Sequence, residues 1–384
     1  MKQKFPVDTF KSLTTPFYYY NAAILDETLQ ALTREACKYN YHIHYAVKAN
    51  ANPRILSLIS KYGLGADCVS GGEIRAALDA GFPVDKIVFA GVGKADWEIN
   101  LGLENDIFCY NVESIPELEV INELAKNKGK SAQIALRINP EIDAHTHRHI
   151  TTGTKEDKFG INRDQLDKVL DKLSALEAIR LMGIHFHIGS QITDLKPFKK
   201  LCKRTVEIQE QLAKRGVKIG HINFGGGLGI DYDNPDANLI PDFKTYFEVF
   251  HGLFPAEPHQ QIHFEPGRSV VGQCGSLISK VLYVKEGSYK KFVVLDAGFT
   301  ELIRPAFYGA YHQIENLSSQ APEEIYDVVG PICESSDCFA KAIRLNKTER
   351  GDLIALRSAG AYGEIMASQY NCRKLPDAYF SDLL

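Results

Sequence analysis

The chain has 384 residues, 45% of them apolar, and its 48 acidic and 44 basic side chains leave a net charge of −4. That length and composition allow a large buried core plus a second, smaller domain, and they exclude a disordered chain. The near balance of charge leaves no basic stripe to meet a phosphate backbone, so a nucleic-acid partner is not expected.

The opening segment MKQKFPVDTFKSLTTPFYYY lacks the apolar run of a signal peptide, and no later segment is apolar over a bilayer's width. A cytoplasmic protein without membrane contact is expected. The cysteines, Cys37, Cys68, Cys109, Cys202, Cys274, Cys333, Cys338 and Cys372, contain no C-x-x-C pair. Their scatter points away from zinc or disulfides and, for most of them, toward small buried side chains, with Cys333 the exception.

Between about residue 40 and residue 270, eight β-branched or aromatic runs alternate with amphipathic segments. The runs end at Lys48, Ser70, Gly91, Asn111, Arg137, His187, Gly227 and Glu265. Helices are predicted between them in PRILSLISKY, GEIRAALDAG, IPELEVINELAKNKG and KPFKKLCKRTVEIQEQLAKRG, the last two closed by a glycine. The pattern predicts a (β/α)8 barrel over 22–270, with a doubly wound sheet as the alternative. The barrel is preferred because six of the eight runs end in a residue able to do chemistry. After Ser269 the segments SLISKVLYVKEG, KKFVVLDAG, EEIYDVVGPI and DLIALRSAGAYG predict a separate all-β domain over 1–21 and 271–384, a sandwich or Greek-key barrel, with FYYY adding a strand to it.

In a barrel the reactive groups collect at the C-terminal rim of the strands. Lys48, flanked by apolar residues, suits a Schiff base with an aldehyde, although a lysine at a strand end is commonly a solvated cap. Gly225, Gly226, Gly227 and Gly229 form a bare turn beyond the seventh strand, where many barrels bind phosphate, and a plain tight turn is the bland alternative. Glu265, Gly267 and Arg268 follow on the eighth. A carboxylate facing the nitrogen of a pyridoxal phosphate ring would keep it protonated, and the guanidinium can meet a phosphate or carboxylate bidentately. Of the two histidines in HFHIGSQ, only His187 is expected to face this cofactor, stacked on its ring, with Ser190 on the phosphate. His185 is read as a satisfied core histidine. His145, His147 and His149 look like a metal tract but lie in a loop without the carboxylate or thiolate spacing of a ligand set, so no metal is expected.

YAVKAN, GADCVSGGE, RINP, KFGI, HFHIGSQ, GGGLG, EPGR, GPICESSD and AGAYG occur in that order from about Thr15 to the C-terminus. Together they resemble the fold-type III pyridoxal-phosphate decarboxylases, whose barrel and β-domain are alanine-racemase-like. The resemblance implies a homodimer with active sites shared between the barrel of one subunit and the β-domain of the other. It implies Lys48 as the lysine bonded to the cofactor, Glu265 at the ring nitrogen and His187 on the ring face. The phosphate would be held by Ser190, Gly225, Gly226, Gly227, Arg268 and Tyr362, while Asp67 and Arg137 orient the lysine and the network beside it. Cys333 matches a proton donor from the partner subunit, a role to which a thiol is suited. Arg304 and Tyr308 match a clamp for a distal substrate carboxylate and Glu334 the partner of a distal ammonium, with Arg268 and Tyr362 also counted among the substrate-binding residues. Both charges at the far end suit meso-diaminopimelate better than ornithine, arginine or carboxynorspermidine. His149 departs from the family, standing where an aromatic residue is common.

An amino-acid racemase of the same fold is the first rival, and Glu265 argues against it because racemases gain from a weaker electron sink. A catalytically silent relative is the second. It would be expected to have lost Lys48, Cys333 or the glycine turn, and this chain retains all three.

Overall fold

Eight parallel strands close on themselves into a barrel: His42–Ala46, Gly65–Cys68, Ile87–Phe89, Cys109–Val112, Ala132–Asn139, Ile179–His185, His221–Asn223 and Gln261–Phe264. Each pairs with its chain neighbour, and the eighth closes the ring on the first through His263 opposite His42. These are the eight predicted runs. The computed structural model describes residues 3–143 and 158–384.

Local chemistry sets the turns at the rim. Asn52 caps the helix Pro53–Ser60 by accepting the Arg54 N–H at 3.0 Å, and Ser70 and Ser114 cap Gly71–Asp79 and Ile115–Asn127 in the same way. Gly129 and Gly216 follow their helices at φ 62° and 71°, the left-handed conformation that ends a helix with least strain in glycine.

The chain divides into two units, the barrel (Leu29–Gly229 and Asp242–Gly267) and a strand-rich unit (Met1–Thr28, Ile230–Pro241 and Arg268–Leu384). The sequence reading places Ile230–Pro241 within the barrel span 22–270, whereas it packs with the strand-rich unit. Gln273 Nε2 donates to the carbonyls of Asp231 and Asn238 at 3.1 Å, and Arg357 holds Asp236 at 2.8 Å.

The strand-rich unit is an eight-stranded mixed sheet organised around the long strand Gly275–Glu286, which pairs with Lys291–Leu295, Leu353–Leu356 and Phe17–Tyr20. FYYY adds its strand as predicted, with all four side chains buried. Phe17 and Tyr19 enter a core with Phe10, Ile278 and Leu353 on one face. On the other, the Tyr18 and Tyr20 hydroxyls donate to the Glu301 carbonyl and the Glu364 carboxylate. Among the described residues no helix is long and apolar enough to cross a membrane. Cys68, Cys109, Cys202 and Cys274 are buried as expected and Cys333 is exposed, whereas Cys37 and Cys372 are exposed as well.

The barrel also encloses histidines. His44 Nδ1–H donates to the Lys86 carbonyl at 2.9 Å, which leaves its Nε2 to accept from His263 Nδ1, also at 2.9 Å. His221 lies 4.0 Å from His263 between ring centroids, and neither of its nitrogens has a partner among the described residues. Burial pushes the pKa of each of the three below the ordinary histidine value. The unfolded chain therefore binds protons that the folded barrel refuses, and stability falls as pH drops below the unfolded value near 6.5. His221→Leu isolates one such group. Between pH 6.5 and 5.5 its unfolding free energy should fall by about 1 kcal/mol less than that of the parent protein, measured by urea titration. Equal losses in the two proteins would contradict the assignment.

Candidate active site

The barrel rim surrounds a cavity of about 380 Å³ lined by Lys48, Asp67, Arg137, His185, His187, Glu265 and the loop Ala90–Gly93. Lys48 sits just beyond the first strand, in the helical turn Val47–Ala49. Its ammonium lies 3.3 Å from Asp67, whose side chain is 1% exposed against 35% for the lysine. Burial first, and then the charge of Glu265, pushes the Asp67 carboxyl above its usual range, against the pull of Lys48. Asp67 Oδ1 has no partner among the described residues.

Glu265 follows the eighth strand and is nearly inaccessible to solvent. One carboxylate oxygen accepts from Asn223 Nδ2 at 2.7 Å and Asn111 Nδ2 at 3.3 Å, and the other meets His185 Nε2 at 2.9 Å. Burial pushes His185 down to about 3, so the ring is neutral and donates its Nε2–H. The Glu265 carboxyl is pushed above its ordinary value by the same burial, with Lys48 the largest opposing influence. The result is a fixed carboxylate with raised proton affinity.

The expectation that only His187 faces the site is corrected here. Residues i and i+2 of an extended segment share a face, and His185 and His187 both line the cavity. His185, read as a core residue, holds Glu265. Enclosure in the wall, and then the charges of Lys48 and Arg137, keep His187 neutral. Ser190 lies half-buried three residues further on.

The glycine turn is only partly available to a ligand. The Gly225 amide donates to Asn223 Oδ1 at 2.9 Å, and the Gly226 amide makes a long contact of 3.4 Å with His187 Nδ1. Packing explains why these positions are bare: a Cβ on Gly225 would lie 2.1 Å from the Phe186 carbonyl oxygen, and one on Gly226 would lie 2.2 Å from that of Glu265. Gly267 is likewise wedged between Ala46 and Ala49, on either side of Lys48 in sequence.

Arg137, within the fifth strand, pairs with Glu113 at 2.8 Å and covers the Phe159 ring at 4.9 Å. Glu113 also accepts from the amides of Gly91 at 3.1 Å and Gly160 at 3.0 Å, so one carboxylate ties three parts of the barrel rim together. Lys94 braces this wall from behind through Glu117 and the carbonyls of Gly91 and Asn111.

The other predicted residues lie in the strand-rich unit. Arg268 and Arg304 are buried and both donate to the Tyr232 hydroxyl oxygen, and Arg268 also covers the Tyr362 ring at 4.8 Å. Tyr308 ends the short helix Arg304–Tyr308. Cys333 and Glu334 are exposed on the loop before the strand Cys338–Asn346. Asp337 pins that loop by accepting the Ile332 and Phe299 amides at 2.7 Å, and Tyr370 donates to Glu334 at 2.8 Å. His145, His147 and His149 lie outside the described residues, among which no cluster of three metal-binding side chains occurs.

The barrel cavity suits an aldehyde-bearing, protonatable heteroaromatic ring. It offers one amine for the aldehyde, one buried carboxylate of raised proton affinity for the ring nitrogen, and an imidazole wall. The comparisons agree. A sequence profile described as "Pyridoxal-dependent decarboxylase, pyridoxal binding domain" matches residues 25–272. The chain belongs to this family of decarboxylases, whose cofactor is pyridoxal 5'-phosphate.

Within the family its likeness is to diaminopimelate decarboxylases. It is 63% identical to that of Bacteroides thetaiotaomicron, covering 100% of both chains, and 43% identical to that of Zymomonas mobilis, covering 94% of this chain and 86% of the relative. The crystal structure of the Helicobacter pylori diaminopimelate decarboxylase complexed with L-lysine matches with a TM-score of 0.91 at 39% identity, over 97% of this chain and 93% of that one.

Asn111, Asn223, His185 and Glu113 line or brace the barrel site and are missed by the sequence reading. Asn111 ends one of the predicted runs and His185 belongs to H-x-H, so strand-end position is a usable signal for both.

Proposed function

We propose that this chain removes CO2 from meso-2,6-diaminopimelate to give L-lysine, as a cytoplasmic homodimer engaged in lysine biosynthesis. The observation that carries the choice of substrate is Arg304. It is 5% exposed, it forms no ion pair among the described residues, and its Nε and Nη2 edge makes no hydrogen bond with them. A buried guanidinium with an open edge calls for a carboxylate that binds bidentately. A substrate whose far end is only an amine would leave that charge uncompensated.

On this reading Lys48 would hold the aldehyde end of the cofactor and Asp67 would place the amine. His187 would face the ring. Ser190, the amides of Gly226 and Gly227, Arg268 and Tyr362 hold the phosphate, while Gly225 shapes the turn. Glu265 keeps the proton on the ring nitrogen, and Arg137 with Glu113 holds the opposite wall. When bound, the cofactor supplies a sink for the electron pair left on Cα as CO2 departs. The partner subunit's Cys333 returns a proton to that carbon. The partner subunit's Glu334 meets the distal ammonium, and Arg304 with Tyr308 meets the distal carboxylate.

The test is a substrate panel of meso-diaminopimelate, ornithine, arginine and carboxynorspermidine, with CO2 and the amine product both identified. Lysine from diaminopimelate at a kcat/KM at least about a hundredfold above the others is expected, the discrimination available from one buried charge-assisted contact. Preference for ornithine or arginine would refute the assignment of Arg304.

A further inference from the structure

Two guanidinium groups share one phenol oxygen in the strand-rich unit. Arg268 Nη1 donates to Tyr232 Oη at 2.6 Å and Arg304 Nη1 donates to the same atom at 2.7 Å, which occupies both acceptor positions of the hydroxyl. The Arg304 guanidinium carbon also lies 5.0 Å from the centroid of the Tyr232 ring. The same Nη1 meets His312 Nε2 at 3.1 Å. The His312 tautomer is fixed from its other side, because Nδ1 lies 2.8 Å from the Arg357 carbonyl oxygen, which can only accept. His312 Nε2 is therefore a bare lone pair aimed at Arg304.

The anchor behind it is rigid. Arg357, 1% exposed on its side chain, is held by Glu315 and Asp236 at 2.8 Å each. Burial, followed by the charge of Arg304, pushes His312 down to about 3, so it stays neutral and remains an acceptor at any working pH. Arg304 is in turn pushed below its ordinary value, by burial first and by the like charge of Arg268 among the remaining influences. Two cations held this close require neutral acceptors between them and an anion in front of them. Both contacts to Arg304 fall on Nη1, and the Nε and Nη2 edge is left for a ligand.

We propose that Tyr232 and His312 are positioning residues. Together they turn the open edge of Arg304 toward the far carboxylate of the substrate, and Tyr232 alone also ties that arginine to Arg268, fixing the spacing of the two cations and hence the length of amino diacid accepted. This rests on the reading of Arg304 as the carboxylate clamp. Tyr232 touches both arginines whereas His312 touches only Arg304, so their loss should separate.

The experiment compares Tyr232→Phe, His312→Leu and His312→Gln in the holoenzyme, with L-lysine, which keeps a carboxylate, and cadaverine, which has none, as competitive inhibitors. Tyr232→Phe and His312→Leu should each raise KM for diaminopimelate and Ki for L-lysine about tenfold or more, with Ki for cadaverine within about threefold of the parent value. His312→Gln, which restores an acceptor, should recover most of that loss. The dissociation constant of the cofactor, followed by its absorption on adding it back to apoprotein, should rise in Tyr232→Phe and not in either His312 variant. Parallel loss of L-lysine and cadaverine binding, or unchanged L-lysine binding, would overturn the inference. If Tyr232→Phe does not fold, the His312 pair decides the question alone. Wild-type enzyme that released no CO2 from diaminopimelate would remove the reading beneath the inference, whereas wild-type turnover with an unsplit inhibitor pattern would remove only the roles of Tyr232 and His312.

Discussion

Lys48→Ala should lose at least about a thousandfold in CO2 release, and the purified variant should lose the near-visible absorption of covalently held cofactor while remaining folded. The fold should survive because the Lys48 side chain is one-third exposed and sits in a short turn, not in the barrel core. Its ammonium pairs with Asp67, which is buried and already pushed toward its neutral form. Once the ammonium is gone Asp67 can take up a proton, which avoids a stranded charge. The variant therefore separates chemistry from stability. Retention of the absorption band in Lys48→Ala would mean that another amine holds the cofactor.

Glu265→Gln should lower kcat about a hundredfold or more, with a smaller change in KM. The substitution keeps the shape of the side chain and removes its charge. His185, Asn223 and Asn111 all point N–H donors at the Glu265 oxygens, and a glutamine amide can present its oxygen to only part of that set. The neutral amide cannot hold a proton on the ring nitrogen, so the ring becomes a weaker sink. A kcat within about threefold of the parent value would show that the carboxylate is not what sustains the reaction.

Much of the barrel site is legible in the sequence because its residues stand at the ends of strands whose apolar runs are short and regularly spaced. Lys48, Arg137, His187 and Glu265 are found by that rule, whereas Asp67 lies inside the run that ends at Ser70 and is picked out only by the resemblance. The detail of the rim is less legible. Lys48 lies beyond its strand because strand ends are set by backbone pairing and not by the last apolar residue, and His185 lines the cavity with His187 because residues i and i+2 of an extended segment share a face. The glycine turn reads as a phosphate cradle, yet steric contact with neighbouring carbonyls explains Gly225 and Gly226 directly.

The strand-rich unit hides more. Its strands Ile314–Asn316 and Asp377–Phe380 are too short to show a period, and Cys338–Asn346 carries Lys341 and Arg344 along a partly exposed edge. Tyr232 lies 72 residues from Arg304 in sequence. No spacing rule connects them, and they meet only because Ile230–Pro241 leaves the barrel to join the other unit.

The most direct measurement is borohydride reduction of the purified holoprotein followed by peptide mass spectrometry. The phosphopyridoxyl group should be found on the peptide carrying Tyr45, Ala46, Val47 and Lys48, and its yield should fall to background in Lys48→Ala. A stable label on a different lysine, or none on a protein that still releases CO2, would contradict the account.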